Sequence, residues 1–323
     1  MPDLVRRRRA WLSSLLFSTL MLVLPISCQK APDPWNGTNK LRVVVSIAPL
    51  YCFTAQIAEP DAEVLCLLST KGPHDFQPTT QDARLLSSAD VLVVNGLGLE
   101  EFLDNMVRAS GNRMLKVVKA GDAIPKDQLL EAEGVPHLHG TQMVVHRGTD
   151  PHAWLGIAEA KQMVDAIAAA LADKAPGHAE GFRSRAEAVK KKLDALALQG
   201  KHVKLDGGLV TFHDSFRYFG RSFDIPIAGV IRGLRGEDVS GSALMEQAKE
   251  FKARNVRLIG VEPQYPRRVA ESLAKEIGQD RVRLVELDPI ETAPLVDGQT
   301  HKVDRDWYFK QMERNLKNLR QPQ

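Results

Sequence analysis

Short apolar runs alternate with helical patterns along most of this 323-residue chain, and this alternation constrains the fold more than any other feature. Runs such as VVV and VLVV are apolar on both faces, which is typical of parallel strands covered by helices on either side. Strands that alternate with helices predict a doubly wound α/β architecture. The predicted strands cover residues 41–47, 63–68, 90–95, 114–118, 208–212, 225–230, 256–261 and 282–287.

A single long helix interrupts the alternation between residues 180 and 199. Its apolar residues recur at intervals of three and four positions with charged residues between them, so one face of the helix is expected to be buried. At 1.5 Å per residue the helix would span about 30 Å. The apolar positions are Phe182, Ala186, Val189, Leu193 and Leu196.

Four predicted strands precede this helix and four follow it. We therefore expect two α/β lobes of about four parallel strands each, joined by the helix, with a ligand site in the cleft between them. The expected division is an N-terminal lobe at residues 41–178, a linking helix at 179–200 and a C-terminal lobe at 201–323. Shorter helices are predicted at residues 50–58, 79–88, 99–110, 242–254, 266–277 and 304–319.

The N-terminus has the pattern of an export signal. Four arginines, Arg6 to Arg9, precede an apolar run of about 17 residues, which is at the short limit for a membrane span. We interpret residues 1–27 as a signal peptide and residues 28–40 as a tether. The end of the run, LPISC, resembles a bacterial lipobox and predicts a lipid on Cys28, although Pro25 departs from the usual leucine. Cleavage without a lipid, and an uncleaved anchor, are the alternatives.

Charge and composition exclude several classes of protein. The chain has 43 basic and 40 acidic residues, and the leader accounts for four arginines and one aspartate, so the mature chain has 39 of each. This balance gives no support to a nucleic-acid partner. Hydrophobic and charged contents of 44% and 26% exclude a disordered chain, and three cysteines exclude a disulfide scaffold. Cys52 and Cys66 form either a disulfide or two buried thiols.

Three histidines and one aspartate are expected at the carboxyl ends of strands or in the loops that follow them. They are His74 in GPHDFQP, His152 in DPHAWL, His213 in TFHDSF and Asp288 in VELDPI. Ligands bind at this edge of open α/β sheets, and two of the four residues come from each lobe. Three imidazoles and one carboxylate suit a divalent transition metal such as Zn²⁺, so the sequence predicts a metal site.

These motifs make the chain resemble the solute-binding proteins of zinc and manganese ABC uptake systems, the cluster A-I metal-binding family. The resemblance also includes VVVSIAPLYCFTAQIA, ADVLVVNGLGLEEFLD, VEPQYPRRVAESLAKEIG and YFKQMERNLKNL, so it covers nearly the whole mature chain. It implies a metal site in the cleft between two lobes. It also implies that His74, His152 and His213 are the histidine ligands and that Asp288 is the fourth ligand.

The resemblance further implies a non-enzymatic protein that captures Zn²⁺, with Mn²⁺ as the alternative, outside the cytoplasm. A histidine in the third position resembles the zinc-preferring members. The expected partner is an ABC-type permease driven by a cytoplasmic ATPase, and the expected form is a lipid-anchored monomer in the periplasm or on the outer face of the bacterial membrane. A zinc-dependent hydrolase and a metal-binding surface adhesin are the alternative functions.

Other polar residues near these motifs have two interpretations each. Glu262, Asp214 and Asp75 either support a histidine ligand or cap a local turn or helix. Zinc-specific relatives often carry a long histidine-rich loop before the second ligand, whereas residues 131–147 here contain only three histidines. This segment is interpreted as a weak metal-capturing remnant or as an exposed loop. The three histidines are His137, His139 and His146.

Overall fold

A computed structural model of the chain describes residues 33–35, 37–73, 76–132, 134, 136–139, 142–145, 148–232, 241–296 and 300–320. Met1–Asn36 and Gly37–Gln323 form two separate units. In the first unit, the Trp35 N–H donates a hydrogen bond to Asp33 Oδ1. The elements below all belong to the second unit.

A parallel sheet of four strands forms the first lobe, in the order β2-β1-β3-β4. The apolar runs that predicted it are buried in the two central strands, because helices cover both faces of the sheet. The strands are β1 (Leu41–Ile47), β2 (Ala62–Leu68), β3 (Val91–Val94) and β4 (Lys116–Lys119).

Four α-helices accompany this sheet: α1 (Ala48–Ala58), α2 (Thr80–Ser87), α3 (Leu103–Ser110) and α4 (Ile157–Lys174). Every residue of α1 is buried, since the helix lies between the sheet and other helices. A capping box starts α2: the Thr79 hydroxyl accepts from the Asp82 N–H, and the Asp82 carboxylate accepts from the Thr79 N–H.

The third helix begins four residues later than the sequence predicts. Residues 99–102 lie outside the helix, and the buried Glu100 side chain explains why. Its carboxylate accepts hydrogen bonds from the Asn95 and Gly96 N–H groups and from the Ser46 hydroxyl. Glu100 therefore closes the loop after β3 and holds it against β1, before α3 can start.

A two-stranded antiparallel hairpin separates β4 from α4, although the sequence pattern of this segment indicates an exposed loop or a metal-capturing remnant. It consists of β5 (Pro136–His139) and β6 (Gln142–Val145). His137 and His139 lie on β5, paired with Val144 and Gln142. An antiparallel bridge between Glu131 and Thr149 closes the base of the hairpin.

The long helix of the sequence analysis is present as α5 (Ala179–Gly200). All five apolar positions predicted to be buried are buried, which confirms the amphipathic pattern. The helix packs against α4 and α1.

The second lobe repeats the architecture of the first, with the strand order β10-β9-β7-β8. All strand pairs are parallel. Its strands are β7 (Gly208–Thr211), β8 (Ile227–Val230), β9 (Val256–Val261) and β10 (Arg283–Glu286), and its helices are α6 (Arg217–Phe223), α7 (Gly241–Ala253) and α8 (Arg267–Ile277). Two four-stranded parallel sheets flanked by helices confirm the predicted fold class.

After β10 the chain returns to the first lobe before it ends. The Ala293 N–H donates to the Ser69 carbonyl, and the Cys66 N–H donates to the His301 carbonyl at the edge of β2. The chain then forms α9 (Trp307–Arg320), which packs against α1, α5 and β10. The two lobes are therefore joined by this returning segment as well as by α5.

Candidate metal centre

His152 lies in the turn before α4, where a neighbouring carboxylate fixes both its backbone and its ring. Asp150 Oδ1 accepts a hydrogen bond from the His152 N–H at 3.0 Å and lies 2.8 Å from the ring Nδ1. Both residues are buried. Because Nδ1 is held by the carboxylate, the ring presents Nε2, which lies 3.7 Å from Glu291 Oε1.

His213 follows β7 and is fixed in a different way. Glu262 Oε1, at the end of β9, accepts hydrogen bonds from the N–H groups of Phe212 at 2.7 Å and His213 at 3.1 Å. The Thr211 hydroxyl donates to the His213 carbonyl at 2.9 Å. These bonds hold the backbone of His213, and its ring Nδ1 lies 3.4 Å from Glu291 Oε1.

One carboxylate oxygen of Glu291 therefore faces both imidazoles. The two rings are perpendicular, with their centroids 4.6 Å apart. One ligand atom from each of His152, His213 and Glu291 can be chosen so that all three lie within 4.8 Å of one another, and all three residues are buried. This spacing allows a single cation to contact all three side chains.

The donor set fits a divalent transition metal. Two imidazole nitrogens and a carboxylate oxygen are ligands that Zn²⁺ accepts, and they also bind other first-row divalent ions. A cation bound between the two rings would also place a positive charge beside the buried Glu291 carboxylate, which favours the charged form of that group.

Gly72, the first residue of the GPH motif, lies beside this cluster. A Cβ atom added to Gly72 would lie 3.3 Å from Glu291 Oε2, so the glycine leaves room for the carboxylate. His74 and Asp75 lie outside the described residues.

Asp288, the expected fourth ligand, is not part of this three-residue cluster. Its Oδ1 accepts a hydrogen bond from the Ile290 N–H at 2.7 Å, while its backbone N–H and C=O are bonded to the Asn315 side chain. Ile290 has a φ of 62°. This tight turn brings Glu291, three positions after Asp288, to the two histidines, so Glu291 replaces Asp288 as the carboxylate of the cluster.

The supporting acids also differ from the expectation. Glu262 holds the backbone of His213, and Asp214 is half-buried beside that residue. Asp150, which the sequence analysis did not single out, is the acid that contacts the ring of His152. The sequence feature that indicates this role is the position of Asp150, two residues before the histidine in DPHAWL.

Burial changes the proton affinity of the acids around the cluster. Burial raises the pKa of Glu262 to about 8, and the nearby carboxylates of Glu291 and Asp288 act in the same direction. Burial also raises the pKa of Asp150 to about 7, against the opposing hydrogen bond from the His152 N–H. The pKa of Asp288 is raised by burial as well.

Side chains of each lobe form hydrogen bonds with the ligand-bearing segment of the other lobe. Tyr218, on α6 after His213, accepts a hydrogen bond from the Leu130 N–H at 3.0 Å and donates one to the Asp150 carbonyl at 3.1 Å. The Trp154 indole N–H donates to the Pro289 carbonyl at 2.8 Å, two residues before Glu291. These bonds fix the relative positions of the three cluster residues.

The remaining predicted residues lie apart from the cluster or outside the described chain. Cys52 and Cys66 are buried free thiols, so the disulfide alternative is wrong for this structure. The signal peptide, Cys28 and His146 lie outside the described residues. In the described part of the chain, no helix has the length and apolar character required to cross a membrane.

Two α/β lobes that enclose a buried imidazole–carboxylate cluster define a bilobed metal-binding protein of the solute-binding class. The chain belongs to the ZnuA family, described as zinc-uptake complex component A, periplasmic, whose model matches residues 43–321. This match confirms the resemblance found in the sequence motifs.

Individual relatives agree with the family assignment. The zinc-binding lipoprotein AdcA of Streptococcus pneumoniae is 28% identical over 315 residues, which cover 95% of this chain and 60% of AdcA. This chain therefore matches only 60% of the length of that relative. A putative metal-binding protein of Treponema pallidum is 26% identical over 294 residues, covering 89% of each chain.

The solved structures show the same fold. The SBP FpvC of Pseudomonas aeruginosa, in complex with Mn²⁺, superimposes with a TM-score of 0.70 at 26% identity. The match covers 87% of this chain and 97% of FpvC. The Zn(II)-bound ZnuA-like domain of Streptococcus pneumoniae AdcA gives a TM-score of 0.66 at 26% identity, over 87% of this chain and 97% of that domain.

Proposed function

We propose that this protein captures Zn²⁺ outside the cytoplasm and delivers it to a membrane permease of the ABC type. The observation that carries the proposal is the buried cluster of His152, His213 and Glu291, whose ligand atoms lie within 4.8 Å of one another. Mn²⁺ is the alternative cargo, because the same donors also bind other first-row metals.

His74 is proposed as a further ligand. Its support is the position of Gly72, two residues earlier, directly beside the Glu291 carboxylate. Three imidazoles and one carboxylate would complete a four-coordinate zinc site, which leaves no open position for a catalytic water. We therefore propose binding and release, rather than hydrolysis, as the activity.

Capture should depend on pH, because imidazoles bind a metal only in their neutral form. Acidification through the usual histidine range should protonate the ligands and weaken binding. Hydrogen bonds across the lobes, such as that from Trp154 to Pro289, favour local loop motion over a wide opening of the lobes.

We also propose an extracytoplasmic location, with a lipid anchor on Cys28, a monomeric state and a permease driven by a cytoplasmic ATPase as the partner. The support is the arginine-rich leader, the LPISC sequence and the membership in a zinc-uptake family. Replacing Cys28 with Ala should release the protein from membranes; retention of the variant on membranes would contradict the lipid anchor.

The test of the proposed function is a competitive titration of the mature protein with Zn²⁺ and Mn²⁺, together with elemental analysis. We expect one tight zinc site in the wild type that is lost in His152→Ala and kept in the control His202→Ala, whose side chain is exposed. Tight zinc binding that survives in His152→Ala would refute the site. Tighter Mn²⁺ binding would refute the metal preference, and hydrolysis of ester or peptide substrates would favour the enzyme alternative.

A further inference from the structure

The peptide group between Pro151 and His152 is held at both of its polar ends. Its N–H, which belongs to His152, donates a hydrogen bond to Asp150 Oδ1 at 3.0 Å. Its carbonyl, which belongs to Pro151, accepts one from Asn95 Nδ2 at 2.9 Å. A trans peptide is planar, and its N–H and C=O point in opposite directions. Bonds at both ends therefore fix the rotation of this peptide and the direction in which the His152 side chain leaves the backbone.

Asn95 reaches this peptide from the sheet of the first lobe. It directly follows β3, lies 56 residues before Pro151 in the chain, and is fully buried. Its Nδ2 also donates to the Gly96 carbonyl at 3.1 Å. A carbonyl can only accept hydrogen bonds, so both contacts require the NH₂ group and determine the orientation of the side-chain amide.

The backbone of Asn95 is itself fixed by neighbouring strands. Its N–H donates to Glu100 Oε1 at 2.7 Å, and the same oxygen accepts from the Ser46 hydroxyl of β1 at 2.6 Å. Its carbonyl accepts from the Gly121 N–H, just after β4, at 2.8 Å. A Cβ atom on Gly121 would lie 2.7 Å from that carbonyl oxygen, so only a glycine allows this approach. The amide of Asn95 is thus held in place from β1, β3 and β4.

The second lobe fixes its histidine in a comparable way. Glu262 directly follows β9 and accepts a hydrogen bond from the His213 N–H at 3.1 Å. In each lobe, therefore, a buried residue at the end of a strand bonds the backbone at a histidine of the cluster. Asp150 lies in the same turn as His152, whereas the bond from Asn95 connects that turn to the sheet.

We propose that Asn95 is a positioning residue of the metal centre. It holds the Pro151–His152 peptide so that His152 Nε2 already faces Glu291 Oε1, 3.7 Å away, before a cation binds. A ligand held in its bound orientation loses less freedom on binding, which increases affinity. The role of Asn95 in metal affinity rests on the proposed function of the cluster, whereas its hold on the peptide can be tested without a metal.

Removing the amide donor should weaken zinc binding although no ligand is removed. Asn95→Ala should lower zinc affinity about 10- to 100-fold, the usual range for a residue that supports a metal ligand. Asn95→Leu nearly keeps the volume of the side chain but has no donor, so an equal loss would separate the missing hydrogen bond from the effect of a cavity. Competitive zinc titration of the full mature protein measures both variants.

Asn112 provides a matched control in the same lobe. Its Nδ2 also donates to two carbonyls, those of Leu86 at 2.9 Å and Ala89 at 2.8 Å, which lie at the end of α2 rather than beside a metal ligand. Asn112→Ala should lower the denaturant midpoint of unfolding, as Asn95→Ala does, because both variants leave carbonyls without a donor. Its zinc affinity should stay within about twofold of the wild type, since distant sites act independently.

Co²⁺ gives a readout that a loss of stability alone would not change. Its d–d absorption depends on the arrangement of the ligands, and nitrogen and oxygen donors that bind Zn²⁺ also bind Co²⁺. Co²⁺-loaded Asn95→Ala should show absorption bands of altered position or intensity, whereas Asn112→Ala should show the wild-type spectrum. Crystals of metal-free Asn95→Leu should show the Pro151–His152 peptide rotated from its wild-type orientation.

Wild-type zinc affinity in both Asn95→Ala and Asn95→Leu would overturn the inference, as would an equal loss of affinity in Asn112→Ala. A wild-type Co²⁺ spectrum together with an unrotated peptide would also overturn it. A wild-type protein that binds no zinc would refute the proposed function instead. In that case the metal-free crystals still decide: a rotated peptide in Asn95→Leu would retain the hold of Asn95 on His152, and an unchanged peptide would refute it.

Discussion

The segments that carry His152 and His213 come from different lobes, and they hold their histidines in different ways. Asp150 contacts the ring of His152, whereas Glu262 contacts the backbone N–H of His213. The Asp150 carboxylate determines which ring nitrogen of His152 faces the site, and the Glu262 carboxylate determines the position of the His213 ring through its backbone. Two buried acids beside one site therefore support it by separate means, which substitutions can distinguish.

The largest loss of zinc affinity is expected when the carboxylate that faces both histidines is removed. Glu291→Ala eliminates the carboxylate oxygen that faces both rings, so zinc affinity should fall by more than about a hundredfold, beyond the usual effect of a supporting residue. Asp288→Asn is the matched control and should change zinc affinity by less than about fivefold. Calorimetric titration measures the zinc affinity of both variants. A larger loss in Asp288→Asn than in Glu291→Ala would show that Asp288, rather than Glu291, is the carboxylate ligand.

Asp150→Asn should weaken zinc binding by about 10- to 100-fold, as is typical when a partner of a metal-bound histidine is replaced. An asparagine can still accept the His152 N–H with its amide oxygen, but it no longer places a negative charge on the ring. Affinity measured across pH 5–8 checks this, because the variant should differ from the wild type in its pH profile as well as in its affinity. A variant with wild-type affinity would show that the ring contact has no functional effect.

Glu262 should act on the stability of the metal-free protein. Its pKa is raised to about 8 in the native state, whereas an unfolded glutamate titrates near 4.3. Between these values the unfolded state releases a proton that the native state keeps, so this group makes stability fall as pH rises from about 4.3 to 8, by at most about 1.4 kcal/mol per pH unit. Below about pH 4.3 the group is protonated in both states, so it does not make stability depend on pH.

Denaturant unfolding of the metal-free protein at several pH values measures that slope. Glu262→Gln has no titrating group and should show a flatter dependence over the same range. An unchanged slope in the variant would mean that Glu262 is ionised in the native protein.

The smallest effect on zinc affinity is expected when the hydrogen bonds between the two ligand-bearing segments are removed. Tyr218→Phe leaves the Leu130 N–H and the Asp150 carbonyl without their shared hydroxyl, which should cost about 1–3 kcal/mol of stability. Zinc affinity should fall only a few-fold, because both histidines keep their own carboxylates. A hundredfold loss would show that the bond between the segments, rather than Asp150 or Glu262, determines the site.

Periodicity predicted the parts of the fold whose sequence pattern reflects burial. The five apolar positions of α5 and the VVV run of β1 are examples, since both face a core that the chain must build. The hairpin of β5 and β6 was missed because four-residue strands with polar residues lack a distinctive pattern.

The site was predictable only in part. Histidines next to strand ends were visible in their motifs, and the structure brings His152 and His213 together. The choice between Asp288 and Glu291 depends on a turn in which Ile290, a β-branched residue, has a positive φ. Such a conformation arises from tertiary contacts, among them the Asn315 side chain on the Asp288 backbone, which no local pattern reveals.

We expect one cation to bind between His152, His213 and Glu291. Anomalous diffraction at the zinc absorption edge, from crystals grown with one equivalent of Zn²⁺, tests it most directly. We predict one strong peak at about 2.0–2.2 Å from ligand atoms of all three residues. A peak that instead lies on Asp288 without Glu291, or on the hairpin histidines alone, would contradict the account.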